Sequence, residues 1–262
     1  MIVRAIEHGW AAMTQPDHAR LAAAIADTVR LDWAALRIDR DEFLATLRSH
    51  DDGWRAWSPS RNEQGDGPRD FLEMSLVDST AFWRQSVDLC AQSSLLGGFW
   101  VSRHFCDLAE RGLASGDHSR EELQACQAFL TQQARLQSEW SETAEASMAS
   151  SEFDRLVETG TRLLQAFDHF SLWLCIAPGK PLELDLPGLG TMRWRAASAP
   201  VSQANRVQQV IATDPVEAVE DFAEFRIVAV RIDRRPYASD SELSTAIELG
   251  DKVEFVWPLR SQ

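Results

Sequence analysis

The sequence predicts a mainly α-helical protein with a small C-terminal β-rich portion, α+β overall. Up to about residue 177, apolar residues recur at spacings of three and four, which is typical of amphipathic helices. After Pro178 the period changes to two, as in Leu182-Glu183-Leu184-Asp185-Leu186, which is typical of strands. We therefore expect a helical domain over residues 1–177 and a β-rich extension over 178–262, packed on it.

The N-terminal residues 1–15 favour one or two short edge strands, with Ile2, Val3, Trp10 and Met13 as the pairing residues. A first helix should begin at Asp17 as N-cap and run to about Arg30. The apolar spacing predicts further helices over residues 40–51, 76–108, 117–140 and 153–175, with a break at Gly97-Gly98 left open.

A long polar loop is predicted over residues 52–70, because Gly and Pro recur there among polar residues. A loop of this length in a compact domain is more often functional than idle. The period-two segments predict strands over residues 182–186, 226–232 and 252–257.

Charge and composition limit the classes of partner. The chain has 262 residues, enough for a substantial core, and a formal net charge of −14. Such a surface repels phosphate backbones and anionic lipid, so we expect neither a nucleic acid nor a membrane as partner. A small anionic substrate remains compatible with this charge if a bound cation inverts the local field. A homodimer is left open.

Cysteine usage and the N-terminal residues predict a cytoplasmic protein. The four cysteines, Cys90, Cys106, Cys126 and Cys175, form no CxxC pair and fall in predicted helices, as expected for reduced core residues. The start Met1-Ile2-Val3-Arg4 does not have the pattern of a signal peptide. No apolar run approaches the ~20 residues that a membrane span requires.

Polar residues interrupt the apolar faces of several predicted helices, and this pattern predicts a metal site. His18 extends the first helix's apolar stripe, and the adjacent pair His50-Asp51 extends the second. Asp168 lies inside the stripe of the last long helix, and His104 lies in another. An unpaired carboxylate facing a core is too costly to be casual. Two imidazoles and two carboxylates suit a divalent cation with positions left for water.

Each of these residues also has a simpler interpretation. His104 could be a hydrogen-bonded core histidine, and His50-Asp51 could cap a helix end. Asp168 could pair with a buried arginine such as Arg103. Their joint occurrence on several helices is what favours a shared metal.

The pattern resembles the HD superfamily of metal-dependent phosphohydrolases, which place an early helical His, an adjacent His-Asp and a late helical Asp on a helical body. The matching residues here are His18, His50-Asp51 (followed by Asp52-Gly53) and Asp168. The chain is also identified as a member of the bacterial family DUF3891. The segments that carry this resemblance are Gln15-Pro16-Asp17-His18-Ala19, His50-Asp51-Asp52-Gly53-Trp54, Ser102-Arg103-His104 and Ser171-Leu172-Trp173-Leu174-Cys175.

The HD resemblance implies an HD-like helical bundle that hydrolyses a small phosphate ester or nucleotide with Mn, Mg or Fe, as one ion or two. His18, His50, Asp51 and Asp168 would be the metal ligands. His104 would be a further ligand, a substrate contact or a proton donor, and Asp52 a base or an orienting residue. Arg103, Arg61 and Arg69 are candidate phosphate anchors, because a guanidinium fork matches phosphate oxygens.

Two other functions stay open. Some HD-like proteins use two irons with O₂, and His104 would contribute to the larger ligand set that such a di-iron oxygenase needs. The scaffold could also serve as a non-catalytic ligand sensor or structural module, because function does not follow from fold.

Overall fold

The fold is α+β and mainly helical, as predicted. The computed structural model describes residues 1–146, 148–176, 180–197, 209–214 and 224–261. Within them the helices are α1 Gln15–Thr28, α2 Trp33–Leu36, α3 Arg40–Ser49, α4 Leu76–Ser93, α5 Leu95–Ala114, α6 Arg120–Glu145, α7 Ser150–Ile176 and α8 Asp240–Leu249. Two 3₁₀ turns, Asp52–Ala56 and Phe71–Glu73, lie between α3 and α4.

Strands from both ends of the chain form one seven-stranded sheet. They are β1 Ile2–Ile6, β2 Gly9–Met13, β3 Leu182–Leu186, β4 Gly190–Ala197, β5 Gln209–Asp214, β6 Glu224–Asp233 and β7 Lys252–Ser261. Their order is β1-β2-β6-β7-β5-β4-β3, and every pairing is antiparallel except β5 with β7. The N-terminal hairpin therefore continues the C-terminal sheet through β6.

Several predicted boundaries are wrong for local reasons. Thr14, not Asp17, caps α1: its side chain accepts a hydrogen bond from the Asp17 backbone N–H. The helix predicted over residues 76–108 breaks at Ser94 rather than at Gly97-Gly98. Ser94 has extended backbone, and its hydroxyl caps the Gly97 N–H. The short α2 was missed, as were α8, β4 and β5.

The helices α1, α3, α5 and α7 pack together around one core, and α7 also contacts the sheet. Phe170 on α7 is fully buried against Trp194 of β4, with ring centroids 4.5 Å apart, and against Phe225 of β6. This contact ties the helical body to the β-rich portion. The proposed boundary between residues 177 and 178 lies outside the described residues.

The segment 52–70 lies largely against the sheet side of the molecule. Arg61 donates to Asp240 and to the carbonyl of Tyr237, and Arg234 pairs with Asp66. Only Trp54, from the 3₁₀ turn, reaches the cavity described below. None of the helices in the described part of the chain has the length and apolar character of a membrane span.

Candidate metal centre

Four elements bring the predicted ligands together. His18 lies on α1, Asp168 lies on α7, and His50 is the C-cap of α3. Asp51 directly follows as the N-cap of the 3₁₀ turn, with φ −109° and ψ 15°. This change of backbone direction lets two successive side chains face the same space.

The four side chains form a buried cluster of nitrogen and oxygen atoms. His18 Nε2 lies 3.0 Å from Asp51 Oδ2 and 3.2 Å from Asp168 Oδ1. His50 Nε2 lies 3.5 Å from Asp51 Oδ2 and 3.2 Å from Asp168 Oδ1. One such atom from each residue lies within 4.8 Å of all the others. The exposed fraction is at most 9% for each residue, so solvent screens the charges of these side chains only weakly.

The other ring nitrogen of each histidine has an oxygen partner that orients it. His50 Nδ1 lies 2.8 Å from the Leu47 carbonyl, which can only accept, so Nδ1 carries a proton. His18 Nδ1 lies 2.5 Å from Ser171 Oγ, whose hydroxyl donates to the Asp168 carbonyl at 2.9 Å. Ser171 therefore accepts from His18. In both rings Nε2 is left for the cluster, the arrangement typical of metal-binding histidines.

The histidines and carboxylates of the cluster favour each other's charged forms, which shifts their pKa values. Burial opposes charge on His18, but hydrogen bonds to Asp168 and Asp51 outweigh it and raise the pKa of His18 to about 9. The pKa of His50 is also raised, because Asp51 and Asp168 outweigh burial. Although burial by itself raises the pKa of Asp168, hydrogen bonds from the two histidines hold it well below its usual range. Without a cation, protons on the two histidines thus balance the negative charge of Asp168.

The donor set fits a divalent cation. Ligand atoms that share one cation at bonds of about 2.1 Å lie about 3.0–3.4 Å apart, close to the four nitrogen–oxygen separations here. Imidazole with carboxylate suits Zn, Fe or Mn, and four protein ligands leave room for water. A cation would replace the protons that now hold the cluster together.

His104 on α5 lies beside this cluster rather than in it. Its Nε2 is 3.9 Å from Asp168 Oδ2, and its Nδ1 is buried without a hydrogen-bond partner. Burial lowers the pKa of His104 to about 4, so the ring is neutral at pH 7. The simpler interpretation as a satisfied core histidine does not account for the unpartnered nitrogen.

A cavity of about 690 Å³ opens onto the cluster, a volume within the usual range for small-molecule sites. His18, Asp51, His104 and Asp168 line its inner end. Apolar side chains form most of the remaining wall; they include Trp54, Phe71, Leu72, Met74, Leu172 and Ile176. Gln15 also lines it, and its buried Oε1 has no partner.

A second opening, a cleft of about 490 Å³, reaches Asp168 and His104 from another side. Arg111 and Arg162 line it, and Arg162 is paired with Asp185 at 2.6 Å. Arg111 lies close enough for its charge to act on His104. Sequence reasoning missed Arg111, although its position seven residues after His104 places both on one helix face.

The other predicted site residues lie elsewhere. Asp52 pairs with Arg55 at 2.8 Å. Arg61 forms an ion pair with Asp240. Arg103 is exposed on α5, and Asp168 pairs with histidines rather than with Arg103. Among the described residues that line the cavity or the cleft, neither Asp52 nor any of the three predicted phosphate anchors, Arg61, Arg69 and Arg103, is present. The sequence around an arginine does not indicate which cavity or surface its side chain will line.

The model of one protein family, described as "Protein of unknown function (DUF3891)", matches residues 1–221. No curated protein and no solved structure matches the chain. The family match extends beyond the helical body into the β-rich portion. Because neither comparison found a match, the resemblance to the HD superfamily depends on the site residues alone.

Proposed function

The chain belongs to the DUF3891 family, and from its buried site we propose that it is a divalent-metal-dependent hydrolase of a small phosphate ester. The observation that carries this proposal is the convergence of His18 Nε2, His50 Nε2 and the carboxylates of Asp51 and Asp168 at separations of 3.0–3.5 Å. The cavity is lined by His18, Asp51 and Asp168 and gives a substrate access to this cluster.

His18, His50, Asp51 and Asp168 would hold the cation. A divalent cation in such a site lowers the pKa of a coordinated water and polarises a phosphoryl oxygen. Ser171 and the Leu47 carbonyl keep the two imidazoles in the tautomer that presents Nε2. Burial by the surrounding helices limits the water that reaches the reacting atoms.

Two further side chains have roles toward the phosphate. His104 lines the cavity beside Asp168, and its ring would contact a bound phosphate ester. Arg111, at the cleft, replaces Arg61, Arg69 and Arg103 as the phosphate anchor, because its guanidinium lines the space that reaches Asp168. Hydrolysis would form one P–O bond from water and break the ester P–O bond, and the released alkoxide takes up a proton.

A phosphate-release assay tests the proposal. Purified protein would be incubated with phosphate monoesters and nucleotides in the presence of Mn²⁺, Mg²⁺ or Fe²⁺. We expect metal-dependent phosphate release that Asp168→Asn abolishes and that Asp154→Asn, a change at an exposed carboxylate on the same helix, leaves intact. Equal release by both variants, or no release with any metal and ester, would exclude the proposed activity.

The second candidate is a di-iron oxygenase. His104 favours it, because its ring lies 3.9 Å from the second oxygen of Asp168 and would extend the donor set. The two functions are separable by spectroscopy. An iron-dependent absorbance that bleaches on reduction, in protein without phosphatase activity, would support the oxygenase and rule out the hydrolase.

A further inference from the structure

The wall of the cavity points to the chemical class of the substrate. We propose, resting on the hydrolase proposed above, that the group esterified to the phosphate is an unbranched apolar chain lying in the cavity that ends on His18 and Asp51. The substrate class is thus an alkyl or acyl-chain phosphate ester rather than a nucleotide or a sugar phosphate.

Apolar side chains make up half of the cavity lining. Eleven of its 22 lining residues have apolar or aromatic side chains, among them Trp54, Phe71, Met74 and Leu172. None of the described residues in this lining is Lys or Arg. A second phosphate, as in a nucleoside diphosphate, would lie away from the proposed cation and beside Glu122, with no lysine or arginine of the lining to balance its charge. An apolar chain meets no such penalty, and the flexible Met74 can adapt to it.

Three polar side chains of the lining, those of Glu122, His118 and Ser115, already have hydrogen-bond partners. Glu122 accepts from the backbone N–H and hydroxyl of Ser119, in the cap of α6. His118 Nε2 and the hydroxyl of Ser115 both bond to the Gly112 carbonyl. A base or a sugar placed here would lose its hydrogen bonds to water and gain few in return, which costs binding free energy.

The lining residues beside the proposed cation site are polar, and a head group would lie there. Gln15 precedes His18 by one helical turn, and its side-chain amide N–H can donate to a phosphate oxygen, while His104 adjoins Asp168. The cleft that holds Arg111 shares His104, Asp168 and Leu172 with the cavity. A phosphate at this junction would have the cation site and Arg111 within reach while its chain occupies the apolar wall.

The mouth of the cavity carries two exposed apolar side chains. Leu72 is 72% exposed and Ile176 is 38% exposed, and both line the cavity. Leu123 and Leu249 are exposed to a similar degree, at 46% and 81%, but line no part of it. This contrast supplies a matched pair of variants in which little core packing changes.

The experiment compares n-alkyl phosphates from ethyl to octyl, and AMP, with Mn²⁺ and the full-length protein. Each methylene buried in the wall should raise kcat/KM about two- to fourfold, so octyl phosphate should exceed ethyl phosphate by about 50-fold or more. Leu72→Ser with Ile176→Ser should flatten this dependence for the longest chains. Leu123→Ser with Leu249→Ser should leave it unchanged.

Binding of n-alkylphosphonates, which cannot be hydrolysed at the ester position, is measured in parallel by calorimetry. Hydrolysis that does not depend on chain length, or that favours AMP over octyl phosphate, would overturn the apolar-chain proposal and leave the hydrolase standing. Phosphonate binding that tightens with chain length, without hydrolysis of any ester, would overturn the hydrolase while supporting the assignment of the cavity. If no ester is hydrolysed and phosphonate binding does not depend on chain length, both the hydrolase and the apolar-chain proposal are overturned.

Discussion

At the scale of single residues, the partners behind the two histidines decide what the site can bind. An imidazole in a core can present either nitrogen, and only the protonated one can donate. The Leu47 carbonyl and Ser171 each occupy Nδ1, so both Nε2 atoms face the carboxylates. Ser171 is therefore a positioning residue for His18. A substitution can remove its hydroxyl, whereas the Leu47 partner is a backbone carbonyl.

Replacing Ser171 with Ala should weaken metal binding without removing a ligand. His18 loses the acceptor that holds its tautomer, and loss of such a partner typically lowers metal affinity 10–100-fold. Calorimetric titration with Mn²⁺ measures the change. Ser102→Ala, which removes another fully buried hydroxyl that donates to Gln133, is the control and should leave metal affinity unaltered. Equal affinities in the two variants would argue against the positioning role.

The raised pKa of His18 predicts how metal-free protein responds to pH. The pKa of His18 in the folded protein, about 9, exceeds the ordinary histidine pKa of 6.5, so the protonated ring stabilises the fold fully below about pH 6.5. This stabilisation declines as the pH rises from 6.5 to 9 and is lost above it. Urea unfolding in a chelator should show wild type losing its advantage over His18→Gln across this window.

The control for that measurement is His8→Gln, because His8 is exposed. Its difference from wild type should be small and should not follow the same window. A constant difference between wild type and His18→Gln from pH 6.5 to 9 would contradict the charge assignment.

The four residues of the candidate metal site were predictable from sequence because they interrupt or extend apolar stripes where a polar residue is costly. Asp168 is the clearest case, since it lies between Leu164 and Leu172 on α7. Ser171 was not identified, because a serine on an apolar face is unremarkable. The arginines Arg61 and Arg69 were misplaced, because nothing in a polar loop indicates which side of the molecule it covers.

At the scale of elements, Gly53 explains how the His-Asp pair is held. Its backbone N–H donates to Ser86 Oγ of α4 at 3.0 Å. A Cβ at this position would lie 2.2 Å from the Phe82 carbonyl oxygen and 2.6 Å from the Ser86 nitrogen. The 3₁₀ turn after Asp51 can therefore approach α4 closely only because residue 53 lacks a side chain.

Gly53→Ala should destabilise the protein and loosen the site together. Overpacking against backbone atoms costs about 1–3 kcal/mol, and relief of the clash would move the turn that carries Asp51. Thermal unfolding and Mn²⁺ affinity should both fall. Gly116→Ala, where a Cβ meets no atom within 4 Å, should change neither. Unchanged stability in Gly53→Ala would show that the close approach is not a constraint.

The period of the apolar residues predicted the long helices, because their burial against one another requires one apolar side. It could not reveal the break at Ser94, because the helical pattern resumes directly after this residue. The extended backbone of Ser94 ends α4, and its hydroxyl caps the start of α5. The helix α8 was missed because it is short and buries a single residue, Leu243. Short elements of this kind depend on their neighbours more than on their own pattern.

At the scale of the whole molecule, the sheet ties the two ends of the chain to the helices. The strand β2 pairs with β6, and Ile2 and Met13 are nearly inaccessible. The side chain of Phe170 is covered by β4 and β6. This long-range pairing was beyond local sequence patterns, which indicated the N-terminal strands, β3, β6 and β7 but neither β4 and β5 nor the strand order.

A fragment of residues 1–177 should therefore fail to fold cooperatively. It retains all four proposed metal ligands but loses the strands that cover Phe170 and pair with β2. We expect a broad thermal transition and aggregation of the fragment, compared with one sharp transition for the full chain. A fragment that melts sharply and binds Mn²⁺ as the full chain does would mean that the helical body is an independent domain.

The central claim is that the buried His18, His50, Asp51 and Asp168 hold a divalent cation. The most direct measurement is elemental analysis together with Mn²⁺ calorimetry on wild type, Asp51→Asn and Asp52→Asn. We expect wild type and Asp52→Asn to bind at least one ion per chain, because Asp52 pairs with Arg55 outside the cluster, and Asp51→Asn to bind none. Equally little metal in wild type and Asp51→Asn under every condition would contradict the claim.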